Sequence, residues 1–459
     1  DGSSVNTGSV EFLYTAQGSP WTESRCTVDR IVPANGTLQV FMKQPCFAAV
    51  RNKPCGQSTS VPAHIENTGV SDISPGQWYL HRTADSAIVK YLPLLGEDVA
   101  HSSVVMPVLE LLIDASNRGS PVSRSSFTGI VFEYATWSRP NSGLGYVEQQ
   151  SGALVSRPGT QCLDYEWEPM PSNLAFRRSR GISFNRCTFR HLGAGALQFD
   201  GGAHESLVRS CHFYDVSGTA VQIGSYNTSK ERDPDRQELR ITVTNCKIED
   251  VAAEYHGNAG ISVGYSAGTT ISRNEISNLT YSGISIGWGW AREPNSYAAN
   301  NSVLQNYIHD YKLQEMQVAL GDGGGIYALG PQPGSRMQGN WVSRMGAGRG
   351  GGGYYPDEGS AYWDISHNVF SNASFCTDDC EWLHIWTESI HDIQTHDCFT
   401  DTATQKVAGT RTAVFNITVV KGGRWPAEAL DIMRGAGTTG HVGALHASQH
   451  HVDGNLAFD

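Results

Sequence analysis

The sequence has few charged residues, no long apolar run and no large basic cluster. Only 17% of its 459 residues are charged, a fraction too low for a disordered chain or a coiled coil. No run of about 18 apolar residues occurs, so no membrane span is predicted. The net charge is −12, and no basic cluster is longer than Arg177-Arg178. Because an acidic surface repels polyanions, nucleic acid is not an expected partner, and a neutral substrate is favoured over a polyuronate.

Glycine is abundant, with 50 residues. Long helices tolerate glycine poorly, whereas turns and strand corners use it freely. This composition favours a β-rich fold.

The ten cysteines do not form paired CxxC units with zinc-finger spacing. Six N-x-S/T sequons accompany them, a combination that predicts a secreted or extracellular glycoprotein with disulfide bonds. The chain opens at Asp1 without an apolar signal segment, so we expect either a cleaved signal peptide or a truncated start. The sequon residues are Asn35, Asn227, Asn278, Asn300, Asn372 and Asn416.

A loose repeat runs from about residue 180 to 372 and predicts a parallel β-helix. One series of segments places Asn or Cys at a fixed position between apolar residues. It includes ISFNRCTF (182–189), ITVTNCKI (241–248) and WDISHNVF (363–370). Between these segments lie short alternating strands that begin at glycine, such as AGISVGY (259–265). The period of roughly 22–35 residues is typical of solenoid coils.

The Asn or Cys position predicts an inward stack, with like side chains about 4.8 Å apart in successive coils. Cys187, Cys211 and Cys246 occupy it, and we expect them to be buried free thiols, because stacked side chains rarely meet disulfide geometry. Asn306 occupies the same position. Elsewhere we expect one disulfide among Cys26, Cys46 and Cys55, and a local Cys376–Cys380 pair is a further candidate.

Three regions are predicted. Residues 1–150 are predicted to form hairpins in an antiparallel β region, either a cap or an insert, packed on the start of the solenoid. Residues 151–400 should form the right-handed β-helix with the active-site groove. Residues 401–459 should form an irregular C-terminal cap and tail. The segment WPAEALDIM (425–433) has helical spacing behind a proline, and the histidine-rich end is interpreted as a surface tail rather than a metal site.

Several distinctive motifs occur in order along most of the chain. They are VEFLYTAQGSPWTESRC (10–26), MKQPC (42–46), PGQWYL (75–80), IEDVAAEYHGNAGISVGY (248–265), GISIGWGW (283–290), DGGGIYALG (322–330) and YYPDEGSAY (354–362). The pattern resembles the secreted β-helix proteins of glycoside hydrolase family 141 and their uncharacterised relatives. This resemblance implies α-L-fucosidase or xylanase activity, with Asp322 and Asp357 as the catalytic carboxylates.

Glycoside hydrolysis needs two carboxyl groups on either side of the scissile bond, and neighbouring coils can supply one each. Asp322 and Asp357 satisfy this condition, although an aspartate beside a strand can also simply cap a turn. If the strands are straight, the two residues lie roughly 23 Å apart. They converge only if the three glycines Gly323–Gly325 bend the chain. Glu358 is the reserve carboxylate.

The substrate-binding candidates are polar or aromatic residues near these strands. We expect Trp288 and Trp290 to stack on sugar rings one coil from Tyr327, with ordinary burial as the alternative, and Tyr327 and Tyr355 to line the same site. The remaining candidates are Glu358, His309, Asp310 and His256. A metal site at His384, Glu388 and His391 would need a helix, whereas the local alternation favours a strand. No cofactor or metal is expected.

The sequence therefore predicts a secreted glycoside hydrolase acting on a polysaccharide or glycan. A non-catalytic carbohydrate-binding or structural extracellular protein is the alternative. A polysaccharide lyase is disfavoured, because no calcium-binding acid cluster with a basic partner is visible. The sequence does not indicate an oligomeric state.

Overall fold

The computed structural model describes residues 9–15, 21–52, 61–69, 73–82, 85–116, 120–157, 166–290, 294–313, 320–346, 350–376 and 381–439. Three parallel sheets of ten strands each dominate these residues, and each coil of the solenoid contributes one strand to every sheet. The predicted all-β parallel β-helix is thus confirmed.

The strands are given by sheet, from coil 1 to coil 10. Sheet 1 contains Ile113–Ser116, Ser172–Arg177, Gly195–Asp200, Val221–Ile223, Ile261–Val263, Ile284–Ile286, Gly323–Ala328, Gly351–Pro356, Glu381–Ile385 and Gln405–Val407. Sheet 2 contains Ser126–Thr128, Ser183–Asn185, Leu207–Arg209, Thr242–Thr244, Thr270–Ser272, Ser302–Leu304, Pro331–Gln338, Ala361–Ser366, Gln394–His396 and Ala413–Phe415. Sheet 3 contains Val131–Ala135, Thr188–Leu192, His212–Val216, Lys247–Glu249, Glu275–Ser277, Tyr307–Tyr311, Trp341–Met345, Val369–Ser371, Phe399–Thr400 and Thr418–Val419.

An inward polar stack lies between sheets 2 and 3, as the repeat predicts. The Nδ2 of Asn306 donates to Asn340 Oδ1 at 3.0 Å and to the Ile271 carbonyl oxygen at 3.0 Å. Asn274 and Asn340 make equivalent bonds to the next coil. Buried backbone groups are thereby paired at a corner where water is excluded.

Cysteines continue this stack toward the first coils. The backbone N–H groups of Cys187 and Cys211 each donate to the sulfur of the next cysteine at 3.4 Å. Cys187, Cys211 and Cys246 are free and buried, which confirms that prediction. The disulfide expected in the N-terminal region joins Cys26 to Cys46. Cys376 is also disulfide-bonded, while Cys55 and Cys380 lie outside the described residues.

The N-terminal region forms an antiparallel sheet and a separate hairpin, as predicted. The sheet contains Glu11–Thr15, Glu23–Ala34, Thr37–Met42, His64–Glu66, Tyr146–Gln150, Ala153–Arg157 and Glu166–Pro169. The hairpin pairs Trp78–Arg82 with Ala87–Tyr91. The helices are Cys46–Arg51 and Ala427–Gly435, and the short 3₁₀ helices are Val99–His101, Arg139–Asn141, Pro234–Arg236 and Ala373–Phe375.

The N-terminal sheet is not an end cap, which was the first of the two expected arrangements. Ser151 accepts hydrogen bonds through its carbonyl oxygen from Tyr226 and Ser262, and the Gln150 side chain reaches coil 7. The sheet therefore covers the outer face of sheet 1. The chain starts its first coil at Ile113, before three strands of this sheet, and parallel strands continue to Val419. The solenoid thus begins before residue 151 and ends after residue 400, the two predicted bounds. It begins earlier because the first coil precedes the last three strands of the covering sheet in the sequence.

The C-terminal helix forms where the spacing predicts it, but it does not cap the far end. Its buried residues Ala429 and Met433 pack with Tyr307, Trp341 and Phe399 on the outside of sheet 3. Beyond it, Gly437 donates to the Gln305 carbonyl oxygen and Thr439 donates to Asn245. The segment therefore runs back along the side of the solenoid. The histidine-rich tail lies outside the described residues.

Two surface properties bear on the predicted location of the protein. All six sequon asparagines are exposed, and five of them adopt positive φ at turns or coil corners. Within the described ranges, no helix has the length and apolar character to cross a membrane.

Candidate functional site

Two tyrosines form the centre of the candidate site on the outer face of sheet 1. Tyr327 of coil 7 pairs with Tyr355 of coil 8 in the parallel register. Their ring centroids are 5.1 Å apart in an edge-to-face arrangement, and both residues are buried. Strand alternation places them outside the solenoid core, and the N-terminal sheet excludes most of the solvent from them.

Each tyrosine binds one of the two predicted catalytic aspartates. The Tyr355 hydroxyl donates to Asp322 Oδ1 at 2.6 Å. The Tyr327 hydroxyl donates to Asp357 Oδ2 at 2.5 Å. Coil 7 thus supplies Asp322 to the tyrosine of coil 8, and coil 8 supplies Asp357 to the tyrosine of coil 7. This reciprocal arrangement brings the two carboxyl groups into one network.

The glycines before the tyrosines make this convergence possible. In the parallel pairing of the two strands, Gly324 pairs with Gly352, and Gly352 lies three residues before Tyr355. In straight strands those three residues would span about 10 Å. A Cβ placed at Gly324 would nevertheless lie 3.0 Å from the Tyr355 Cβ. The paired strands therefore bend sharply at the glycines while staying in one sheet, and Asp322 itself has a φ of 58°. The straight-strand separation of the two aspartates does not apply.

A second set of hydrogen bonds connects the aspartates through the N-terminal sheet. The Nε2 of Gln150 donates to the hydroxyl oxygens of Tyr281 and Tyr327, at 3.1 and 3.0 Å. The Tyr281 hydroxyl in turn donates to the Asp322 carbonyl oxygen at 2.8 Å. These bonds limit the distance between Asp357 Oδ2 and the Asp322 carbonyl oxygen to about 11 Å.

The two carboxyl groups have different electrostatic surroundings. Burial, followed by the negative charge of Asp357, raises the pKa of Asp322 from 3.8 to about 7. The Tyr355 hydrogen bond and the positive charge of Lys312 lower it, but by less. Asp357 is 4% exposed and accepts a second hydrogen bond, from Trp386 Nε1 to Oδ1 at 2.5 Å. Both donors suit an ionised carboxylate, which accepts but cannot donate.

Trp288 is buried rather than open to solvent. Its ring centroid lies 4.3 Å from that of Tyr226 and 5.6 Å from that of Trp167 in the N-terminal sheet. Trp290 packs beside it at 4.9 Å and is partly exposed. The alternative of ordinary burial thus describes Trp288, because its ring anchors the covering sheet.

Three other predicted binding residues have side-chain partners outside the aspartate pair. His256 is fully buried, and its Nδ1 is 2.7 Å from Glu23 Oε2 in the contact with the N-terminal sheet. His309 and Asp310 lie on sheet 3, where they bind each other at 2.6 Å. Asp310 also accepts a hydrogen bond from Arg344. Their strand belongs to a different sheet, so these residues do not extend the site on sheet 1.

Glu358 follows Asp357 directly and is partly exposed. It is close enough in sequence to remain the reserve carboxylate. His384 lies in the strand Glu381–Ile385, not in a helix, and its Nδ1 is paired with Glu381. Among the residues with described positions, no group of three His, Cys, Asp or Glu side chains could hold a metal ion.

Sequence reasoning missed Gln150, Tyr281 and Trp386. Gln150 could not have been found, because its contacts are with residues 131 and 177 positions away. The position of Trp386, in contrast, could have been inferred from the sequence. Tyr354 pairs with Leu383, so aligning WLHIW (382–386) with GYYPD (353–357) puts Trp386 one coil above Asp357.

Comparisons with known proteins agree with this architecture. The family model for the right-handed β-helix region matches residues 172–286 and 234–396. A solved structure described as a glycoside hydrolase has a TM-score of 0.72 at 23% identity, over 95% of this chain and 71% of its own. No curated protein matches the sequence.

Two further structures match with lower scores. The complex of XylC with xylose has a TM-score of 0.37 at 10% identity, over 80% of this chain and 51% of its own. The GH136 lacto-N-biosidase from Eubacterium ramulus has a TM-score of 0.34 at 11% identity, over 65% of this chain and 62% of its own. Together, the ten-coil architecture and the matching family model establish this chain as a right-handed parallel β-helix protein, with a fold similar to that of a glycoside hydrolase.

Proposed function

We propose that this protein hydrolyses a glycosidic bond with Asp322 and Asp357 as the catalytic pair. The observation that carries the proposal is the reciprocal binding of the two aspartates by Tyr355 and Tyr327 on adjacent coils. Two carboxyl groups supplied by adjacent coils to one site are the arrangement that glycoside hydrolysis requires. Similarity to a glycoside hydrolase fold and the family 141 resemblance support the same reaction class.

The electrostatics support a division of roles. Asp322 keeps its proton up to a pH of about 7, so it is suited to protonate the glycosidic oxygen as the bond to the anomeric carbon breaks. Asp357 accepts two hydrogen bonds and is suited to act as the anion. It either attacks the anomeric carbon or takes a proton from the attacking water. A carboxyl separation of about 5–5.5 Å would favour retention, and about 6.5–9.5 Å inversion.

The substrate class follows from charge and resemblance. The net charge of −12 disfavours polyanionic glycans. The family resemblance adds α-L-fucosides and xylans as the first compounds to test. Secretion is proposed on the Cys26–Cys46 disulfide and the six exposed sequons, since both belong to an oxidising, glycosylating route.

The test is a screen of the purified protein on 4-nitrophenyl α-L-fucoside, xylo-oligosaccharides and neutral wall polysaccharides, followed by Asp322→Asn and Asp357→Asn. Each variant should lower hydrolysis by about 10²-fold or more, because asparagine neither ionises nor donates an acid proton. Activity should fall as the pH rises above about 7, where Asp322 loses its proton. Asp364→Asn is the matched control. That carboxylate is on sheet 2 of the same coil as Asp357, and its side chain is 50% exposed.

The alternative is non-catalytic glycan binding, in which the tyrosine hydrogen bonds of both aspartates serve only to hold the coils together. Under this alternative, the two Asn variants behave like Asp364→Asn. Full activity of both variants on any substrate that the wild type hydrolyses would refute the catalytic pair.

A further inference from the structure

Trp386 connects the buried carboxyl group of Asp357 to the protein surface. Its indole Nε1 donates to Asp357 Oδ1 at 2.5 Å, yet the residue is 39% exposed. The other carboxyl oxygen, Oδ2, faces Tyr327, which is 0% exposed and lies beneath Gln150. A ligand that approaches Asp357 therefore comes from the Trp386 side, because the opposite side is closed by the N-terminal sheet.

The neighbouring coils leave room beside the indole ring. Leu383 pairs with Gln405 and Ile385 with Val407, so the next position, Trp386, aligns with Ala408 of coil 10. Ala408 is exposed, and its side chain ends at Cβ. It is therefore too small to cover an indole ring. In coil 8 the same position is Asp357, which holds the indole by its nitrogen. An aromatic ring that is held at one edge and is 39% exposed is suited to contact a sugar ring.

We propose that Trp386 is a substrate-contacting residue that stacks on the sugar next to the scissile bond and positions Asp357 through its N–H. This inference rests on the proposed hydrolase function and adds the residue that binds the substrate at that site. The two roles are separable, since phenylalanine keeps a ring but lacks the donor, whereas alanine lacks both.

The experiment measures binding and turnover separately. Binding to xyloglucan, arabinoxylan, galactomannan and laminarin is measured by affinity electrophoresis in an Asp322→Asn background, so that the glycan is not consumed. Turnover is measured with Asp322 intact. Trp386→Phe and Trp386→Ala are compared with Trp78→Ala. Trp78 is an equally large aromatic, 61% exposed, on the N-terminal hairpin. Thermal melting checks that all variants remain folded.

We expect Trp386→Ala to weaken binding by about ten-fold, whereas Trp78→Ala binds like the parent. Trp386→Phe should keep KM within a few-fold while kcat falls, because only the hydrogen bond to Asp357 is lost. A protein that binds a glycan through Trp386 but never hydrolyses it would support the contact and overturn the hydrolase proposal.

Two other outcomes would contradict one or both proposals. If Trp386→Ala binds and hydrolyses like Trp78→Ala, the role of Trp386 is refuted and the catalytic pair stands. If the parent neither binds nor hydrolyses any glycan tested, both proposals are refuted.

Discussion

Replacing Asp322 with asparagine should stabilise the protein at neutral and basic pH. Native Asp322 holds its proton to about pH 7, whereas its ordinary pKa is 3.8. Between these values the native state binds the proton more tightly than the unfolded chain does. The free energy of unfolding of the wild type therefore decreases as the pH rises from about 4 to 7. Because asparagine cannot ionise, the variant does not lose stability in this way as the pH rises.

The magnitude follows from the size of the shift. A pKa raised from 3.8 to about 7 corresponds to roughly 4 kcal/mol at pH 8. Burial of the amide group that replaces the carboxyl group offsets part of this free energy. The expected net increase in the free energy of unfolding is about 2–4 kcal/mol. Tyr355 can still donate to the Oδ1 of asparagine, so that hydrogen bond is kept. For a chain of this length, the gain corresponds to a Tm rise of about 2–4 °C.

The assay is thermal and denaturant unfolding of the wild type and Asp322→Asn between pH 5 and 8. Other buried acids, such as Glu238 with a pKa raised to about 7, contribute equally to both proteins and cancel in the difference. Asp431→Asn, at a carboxylate that is 71% exposed and pairs with Arg434, should show no growing difference with pH. A stability difference that stays constant from pH 5 to 8, or a variant less stable than the wild type at pH 8, would refute the buried protonated Asp322.

Three further predictions concern the fold and its processing. Asn306→Leu should lower the free energy of unfolding by about 3 kcal/mol or more, while the exposed Asn295→Leu changes it little, because the first leaves stacked donors and acceptors unpaired; equal melting temperatures would show that the stack contributes nothing. Protein from its native source should lose mass on enzymatic deglycosylation, and an unchanged intact mass would exclude glycan on the six sequons. Cys26→Ser should cost about 2–4 kcal/mol in urea unfolding, with the disulfide to Cys46 removed; a midpoint equal to that of the wild type would contradict this.

The positions of the ladder residues were predictable because they depend on local repetition. A stack such as Asn274, Asn306 and Asn340 forms wherever the same side chain recurs at each inner corner. The free thiols at Cys187, Cys211 and Cys246 follow from the same regularity. The two aspartates were predicted from the family resemblance and from their placement beside glycine-rich strands, but their convergence required the bend that Gly324 permits.

Contacts between segments far apart in the sequence were not predictable. His309 and Asp310 looked like site residues, yet the solenoid places their strand in sheet 3. Trp288 looked like a sugar platform, yet Trp167 covers it. Strand periodicity determines which side chains face outward, but not what lies over them.

The sequence by itself thus determined the coil, its inner stack and the acids at its strand ends, because these depend on residues within one coil and the next. Only the tertiary structure decided that the N-terminal sheet covers sheet 1 and that Gln150 joins the tyrosines of the site. The same holds for the C-terminal segment along sheet 3. Such packing depends on complementary surfaces of segments that are far apart in the sequence, so no repeat in the sequence predicts it.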